Sequence, residues 1–271
     1  MEETMKIGAM LYNLRDYCKT PEEVSVALRR VADMGYTAVQ ICGLCPVDPT
    51  WLRAELDKNG LEAPLTHTPY KRVLAETEAV ISEHEILGCD YIGIGCLADM
   101  FIKGDPDVVQ ATRERVAADF FRDAKPIVQK IKESGKLFMY HNHDLEYTTV
   151  IDGKPLIEQI AEHFLPDELG FTFDVYWVAR AGADVVGEIN RYAGRLPCVH
   201  LKDMKFTEEG KPRYTWCGDG VLDFKAMKSA LELAGTKYAF IEQDSTYPDE
   251  PDPFVCLEKS FKYLTSIGYK A

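Results

Sequence analysis

Eight short apolar runs recur along the chain, each followed by a stretch with helical periodicity, and this alternation constrains the fold more than any other feature. The runs are KIGAMLY, AVQICG, EAPLTH, YIGIG, LFMYH, LGFTFD, LPCVHL and YAFIEQD. Runs this short and apolar throughout read as strands buried on both faces. PEEVSVALRRVADMG opens on Pro and two acids and closes on Gly, as a helix should. PTWLRAELDKNG, DVVGEINRYAGR, DFKAMKSALELAG and DPFVCLEKSFKYLTSIG behave alike, and His84 and His163 fall on helices. In VVQATRERVAADFFRDAKPIVQKIKESG, Pro126 is expected to start a new helix or kink this one.

Tyr12, Gln40, His67, Gly95, His141, Asp174, His200 and Glu242 mark the C-terminal ends of the eight runs, at intervals of 28, 27, 28, 46, 33, 26 and 42 residues. Each interval holds one strand-plus-helix unit of about 30 residues, some with extra loop. Strict alternation gives a parallel sheet. No G-x-G-x-x-G follows the first run, which weakens the open dinucleotide-binding alternative. With 271 residues, close to the ~250 typical of the fold, the chain is expected to be a single (β/α)8 TIM barrel of the α/β class, one domain over residues 1–271.

Acids outnumber bases 44 to 31, a net charge of −13, which opposes binding of a phosphate backbone and argues against nucleic acid as a partner. No apolar run reaches the ~20 residues of a membrane helix, and MEETMKIGAM does not read as a secretory signal. The eight cysteines are scattered. Cys42 and Cys45 form one C-x-x-C with no second pair to complete a zinc knuckle, so reduced thiols in a cytoplasmic protein are expected.

In such a barrel the site lies at the C-terminal ends of the strands. The last four ends are dense in ionisable groups: YHNHDLEY from Tyr140, FDVYW from Phe173, HLKD from His200 and EQD from Glu242. Carboxylates converging on one mouth repel, and burying them unpaired is costly. A divalent cation resolves both problems. One imidazole with two or three carboxylates suits Mn²⁺, Mg²⁺ or Co²⁺, and Zn²⁺ less exclusively.

With these segments, followed by RYAGRLPCVHLKDM and GDGVLDF, the chain resembles the sugar phosphate isomerase/epimerase family, the xylose isomerase-like TIM barrels, over essentially its whole length. The resemblance implies one divalent ion, Mn²⁺ foremost, held by Glu, Asp, His and Glu from strands five to eight. Asp174, His200 and Glu242 match directly. Many members carry Glu-Asn-His on strand five, whereas this chain has His141-Asn142-His143. The fourth ligand is therefore expected to be Glu146, with His141 as the alternative. This histidine-rich strand is similar to the branch of inosose dehydratases and 3-keto-glycoside lyases. The endonuclease IV type, with three zinc ions, needs more ligands than six histidines supply.

The family implies proton abstraction next to a carbonyl, through a metal-stabilised enediolate, on a small sugar or keto-sugar. Isomerisation or epimerisation is the expected outcome. Elimination by a lyase is the alternative, and an accessory sugar-binding subunit a more distant one. Glu146 or Glu242 is the expected base, and His143 the acid/base of a lyase. His67 and His141 are expected to hold sugar hydroxyls, Lys202 to neutralise an oxyanion, and Trp177 and Tyr12 to stack on the sugar. Arg213 and Trp216 are placed on a loop over the mouth. Gly218-Asp219-Gly220 has the glycines of a phosphate loop but carries an acid, and Asp244, Asp249, Glu250 and Asp252 add negative charge, which favours an unphosphorylated substrate. A second copy of the chain or an unlike second subunit is the expected protein partner.

Overall fold

The structure is a computed structural model that describes residues 5–271; the first four residues of the acidic N-terminal segment lie outside the described residues. Eight parallel strands form a closed barrel: β1 (Lys6–Met10), β2 (Ala38–Ile41), β3 (Glu62–His67), β4 (Tyr91–Ile94), β5 (Leu137–His141), β6 (Leu169–Asp174), β7 (Cys198–Leu201) and β8 (Tyr238–Ile241). Their spatial order is their chain order, and β8 pairs with β1 to close the ring. The single (β/α)8 barrel expected from the spacing is therefore the fold.

The helices outside the ring are α1 (Pro21–Asp33), α2 (Pro49–Lys58), α3 (Tyr70–Ala75), α4 (Thr77–Leu87), α5 (Pro106–Glu133), α6 (Leu145–Thr148), α7 (Leu156–His163), α8 (Val175–Arg180), α9 (Val185–Arg191), α10 (Phe224–Leu233) and α11 (Pro253–Ser266). Four of them place Pro in the first turn behind a capping side chain: Thr20, Asp48, Asp105 and Asp252 each accept a backbone N–H of the turn that follows. This satisfies donors that the helix itself leaves free.

Two local expectations are corrected. Of the two alternatives for Pro126 the new helix is excluded, since α5 runs from Pro106 to Glu133 through the proline. Phe120 and Ala124 before the proline, and Ile127, Val128 and Ile131 after it, are buried in one continuous face, and that packing outweighs the one hydrogen bond Pro forfeits. Tyr12 lies not on strand one but in a 3₁₀ turn, Leu11–Tyr17. A hairpin after β7 (Asp203–Phe206 paired with Pro212–Thr215) was not legible in advance. No helix among the described residues is long and apolar enough to cross a membrane. All eight cysteines are free.

The barrel interior explains why the site sits where it does. Alternate residues of a strand face one side. Met10, Ala38, Leu65, Tyr91, Met139, Cys198 and Phe240 form a buried apolar cluster, with one residue from each strand except β6. Two positions further along the chain, on the same strands or just past their ends, stand Tyr12, Gln40, His67, Gly93, His141, His200 and Glu242. The plug and the polar layer above it are thus the same strand faces, one step apart. Its apolar bulk excludes water from beneath the polar groups.

Candidate active site

At the C-terminal mouth, His141, Asp174, His200 and Glu242 each offer one donor atom, and these atoms all lie within 4.8 Å of one another; all four residues are buried. The register brings them together: Asp174 and His200 are direct partners across β6 and β7, and His200 faces Phe240, two residues before Glu242. His200 Nε2 lies 2.6 Å from Gln40 Oε1. An amide oxygen only accepts, so Nε2 carries a proton and Nδ1 is the nitrogen turned to the mouth. Nδ1 lies 2.8 Å from Glu242 Oε2 and 3.7 Å from Asp174 Oδ2.

The two oxygens of Asp174 divide their work. Oδ1 caps α8, accepting from the backbone N–H of Tyr176 (2.9 Å) and Trp177 (3.2 Å). Oδ2 has no hydrogen bond, and neither do His200 Nδ1 and Glu242 Oε2, although all three are buried. Two buried carboxylate oxygens and an imidazole nitrogen converge here with ion-pair contacts but without a well-formed hydrogen bond, a donor set that fits a divalent cation.

Lys202 supplies positive charge to the same oxygens. Its buried Nζ lies 3.1 Å from Asp174 Oδ2, 2.9 Å from Glu242 Oε2 and 3.0 Å from Asp244 Oδ2. Burial works against its charge, but the three carboxylates prevail and hold its pKa well above the ordinary lysine value. For Glu242, burial is likewise opposed and overcome by Lys202 and His200, which keep the carboxyl well below its usual range. Burial resists charge on His200 too, yet Glu242 and Asp174 raise it to about 9.

The other three imidazoles behave oppositely. Burial first, then neighbouring cations, push His67 and His143 down to about 3 and His141 well below its ordinary value. Their rings form one cluster: His67 to His141 is 5.1 Å between centroids, His141 to His200 4.6 Å, and His141 to His143 4.7 Å. His143 Nδ1 and His67 Nε2 are buried without a partner.

A cavity of about 600 Å³ lies over this cluster, with His67, His141, His143, Glu242, Asp244 and Tyr12 in its wall. Three placements differ from the sequence expectation. Glu146 is not in the ligand group: its Oε1 accepts from Tyr140 Oη at 2.8 Å and its Oε2 from the His143 backbone N–H at 2.6 Å. The short α6 carries it behind strand five, where it is 1% exposed and burial raises its pKa to about 7. It therefore neither lines the cavity nor joins the cluster of His141, Asp174, His200 and Glu242. Lys202 is sealed behind the carboxylates and does not line the cavity. Trp177 packs with Tyr176 and Met204 and borders His143 at 5.0 Å, in the wall rather than at the cavity surface.

Arg213 belongs to the hairpin after β7 and pairs with Asp249, while Lys205 pairs with Asp219 at 2.6 Å. Gln40, which bonds His200, was read from the sequence only as a strand end, and Asp244, the third partner of Lys202, only as negative charge beside the mouth. The signal for Gln40 was a lone amide at the end of the otherwise apolar AVQI strand.

Comparison with known proteins agrees with this picture. Residues 28–256 match the model of the family described as xylose isomerase-like TIM barrel. The inosose dehydratase of Lacticaseibacillus casei is 26% identical over 263 residues, covering 85% of this chain and 85% of that protein. A sugar phosphate isomerase/epimerase from Parabacteroides distasonis superposes with a TM-score of 0.74 at 21% identity, over 96% of this chain and 98% of the other. The D-psicose 3-epimerase of Clostridium cellulolyticum, solved with D-tagatose, does so at 0.69 and 13% identity, over 98% of this chain and all of the other. The barrel, its ring order and the matched residues together place the chain in one family: it belongs to the xylose isomerase-like TIM barrels.

Proposed function

We propose that the chain, as one domain over residues 1–271, is a divalent-metal-dependent enzyme that moves a proton next to the carbonyl of a small sugar or keto-sugar. One observation carries this reading: Asp174 Oδ2, His200 Nδ1 and Glu242 Oε2 converge beneath an open cavity, with Lys202 as the one cation behind the two carboxylates. Bound there by His141, Asp174, His200 and Glu242, a divalent cation supplies Lewis-acid polarisation of a carbonyl oxygen.

The chain's own residues supply the rest. Glu242, ionised and in the cavity wall, is the carboxylate base. His143, two residues past the end of strand five, lines the same cavity, and its buried Nδ1 has no hydrogen-bond partner. Two proton-transfer groups on opposed walls suit isomerisation or epimerisation, in which the proton leaves one position or face and returns at another. Glu146 is a positioning residue that holds the His143 backbone. Tyr12 offers an aromatic face, stiffened by the Arg15 guanidinium 4.2 Å from its ring centroid. Lys202 keeps the carboxylates ionised from behind. The cations of the hairpin after β7 are already paired with acids, which favours an unphosphorylated substrate.

Dehydration is the second reading. It is favoured by the dehydratase relative and by His143, whose neutral imidazole can take a proton and deliver it to a departing hydroxyl. Both readings share the first proton abstraction. The test is therefore solvent exchange: the full chain, loaded with one divalent metal, is incubated in D₂O with ketoses, aldoses and keto-cyclitols. Proton NMR should show deuterium entering next to the carbonyl of at least one substrate. An isomeric product then marks the first reading and an unsaturated one the second. No exchange with any substrate, in a chain that holds its metal, removes the enzymatic reading and leaves the accessory sugar-binding role.

A further inference from the structure

The donors at the mouth form two groups, not one. Beside His141, Asp174, His200 and Glu242, a second set of His67, His141 and His200 also has its donor atoms within 4.8 Å of one another. Two imidazoles belong to both sets. Ligand atoms held about 2.1 Å from one ion lie at most ~4 Å apart, so each set is near the size of a single coordination sphere. The sets share His141 and His200, so His67 stands at the edge of the four-residue group, close to its two imidazoles and not grouped with its two carboxylates.

His67 is built into this place. It ends β3, and its ring lies over β4 where only glycine leaves room: a Cβ on Gly93 would stand 3.3 Å from His67 Cδ2 and 2.4 Å from Thr66 O, and one on Gly95 would stand 3.1 Å from His67 Nδ1. Nδ1 is on the Gly95 side. The opposite nitrogen, Nε2, is buried and has no partner, while the ring centroid is 5.1 Å from His141 and 5.4 Å from His200. A side chain that only held sugar hydroxyls would not need to sit within the imidazole cluster.

We propose that His67 is a fifth metal ligand, from strand three, giving a sphere of three imidazoles and two carboxylates that selects a borderline cation such as Zn²⁺ or Co²⁺ over Mg²⁺ or Mn²⁺. This rests on the metal-site reading above. Imidazole suits Zn²⁺, Co²⁺ and Fe²⁺, whereas Mg²⁺ and Mn²⁺ prefer oxygen. Replacing the strand-five carboxylate by His141 and adding His67 both move the set in the same direction.

Zn²⁺ outbinds Mn²⁺ at most sites, so the test reads the effect of His67 rather than the ranking alone. Calorimetric titrations of Zn²⁺, Co²⁺ and Mg²⁺ into the chelator-treated full chain are compared with those for His67→Gln and Asp174→Asn. In His67→Gln, affinity for Zn²⁺ and Co²⁺ should fall ~10–100-fold, that for Mg²⁺ far less, and the visible spectrum of bound Co²⁺ should change. A reading independent of any variant comes from NMR of the Co²⁺-loaded wild type. Three exchangeable imidazole N–H signals should be paramagnetically shifted. Two shifted signals, or unchanged affinities in His67→Gln, overturn the fifth ligand. Loss of metal in Asp174→Asn within the same series keeps the metal site itself. A wild type that binds none of these ions overturns both.

Discussion

Lys202 Nζ lies 2.9 Å from Glu242 Oε2, the same oxygen that stands 2.8 Å from His200 Nδ1. One carboxylate oxygen therefore faces both a permanent ammonium and a metal-type imidazole nitrogen. Lys202 and a bound cation draw on the same negative charge, and Asp244 gives the ammonium a partner outside the ligand group. Lys202→Met leaves the buried Asp174 and Glu242 and the partly exposed Asp244 without their cation. Breaking a buried pair in this way costs ~3–5 kcal/mol. The metal-free variant should melt well below wild type, and saturating Zn²⁺ should recover most of the difference. Thermal unfolding with chelator and with Zn²⁺ checks this; an equal metal-induced rise in both proteins would show that Lys202 and the ion do not share these oxygens.

Glu146→Gln separates a ligand from a positioning residue. Both Glu146 oxygens are occupied, by Tyr140 and by the His143 backbone. Metal affinity should change less than about threefold, while deuterium exchange into substrate drops as His143 loses its anchor. The amide also breaks one of two buried hydrogen bonds, costing ~1–3 kcal/mol of stability. Complete loss of bound metal in Glu146→Gln would restore it to the ligand set.

Gln40→Leu removes the acceptor that fixes the His200 tautomer. Metal affinity should fall ~10–100-fold, the usual effect of losing such a partner. The barrel should stay folded, because Leu fills the same interior position. Calorimetry on the chelator-treated variant gives the number, and unchanged affinity would mean that His200 does not depend on Gln40 for its orientation.

His84, on α4, provides a pH test remote from the site. Its Nδ1 lies 2.7 Å from Val80 O and its Nε2 2.7 Å from Thr66 Oγ1. The carbonyl only accepts, so Nδ1 carries the proton and Nε2 accepts from the hydroxyl. Burial pushes the pKa down from 6.5 to about 4. The folded state then binds fewer protons than the unfolded one across that window. The contribution is complete above about pH 6.5 and is lost as pH falls toward 4, by ~3 kcal/mol at most. Wild type should lose Tm more steeply than His84→Gln between pH 6.5 and 4.5; parallel curves would contradict the assignment.

The ring of strands was legible because both-face burial makes each strand a short apolar run, and parallel connections force a helix between them. Asp174, His200 and Glu242 were legible as polar interruptions at the ends of those runs. Glu146 misled because linear spacing is silent on direction: one short helical turn after His141 swings its carboxylate behind the strand. Lys202 sits two residues after His200 and shares its inward face, but its depth depends on Asp244 from the next strand end. Gln40 and His67 come from the first half of the barrel. Their part in the cluster follows from ring closure, which joins β1 to β8 and brings β2 and β3 opposite β6 and β7.

The most direct measurement of the central claim is the metal content of the purified full chain, by mass spectrometry, for wild type, Asp174→Asn and Glu146→Gln. Asn keeps the α8 cap, so the first variant removes ligand charge without removing the helix start. The account requires about one divalent ion per chain in wild type, most of it lost in Asp174→Asn and nearly all retained in Glu146→Gln. A wild type that holds no divalent ion after incubation with Zn²⁺, Co²⁺ or Mn²⁺, or an Asp174→Asn chain that holds as much as wild type, would contradict it.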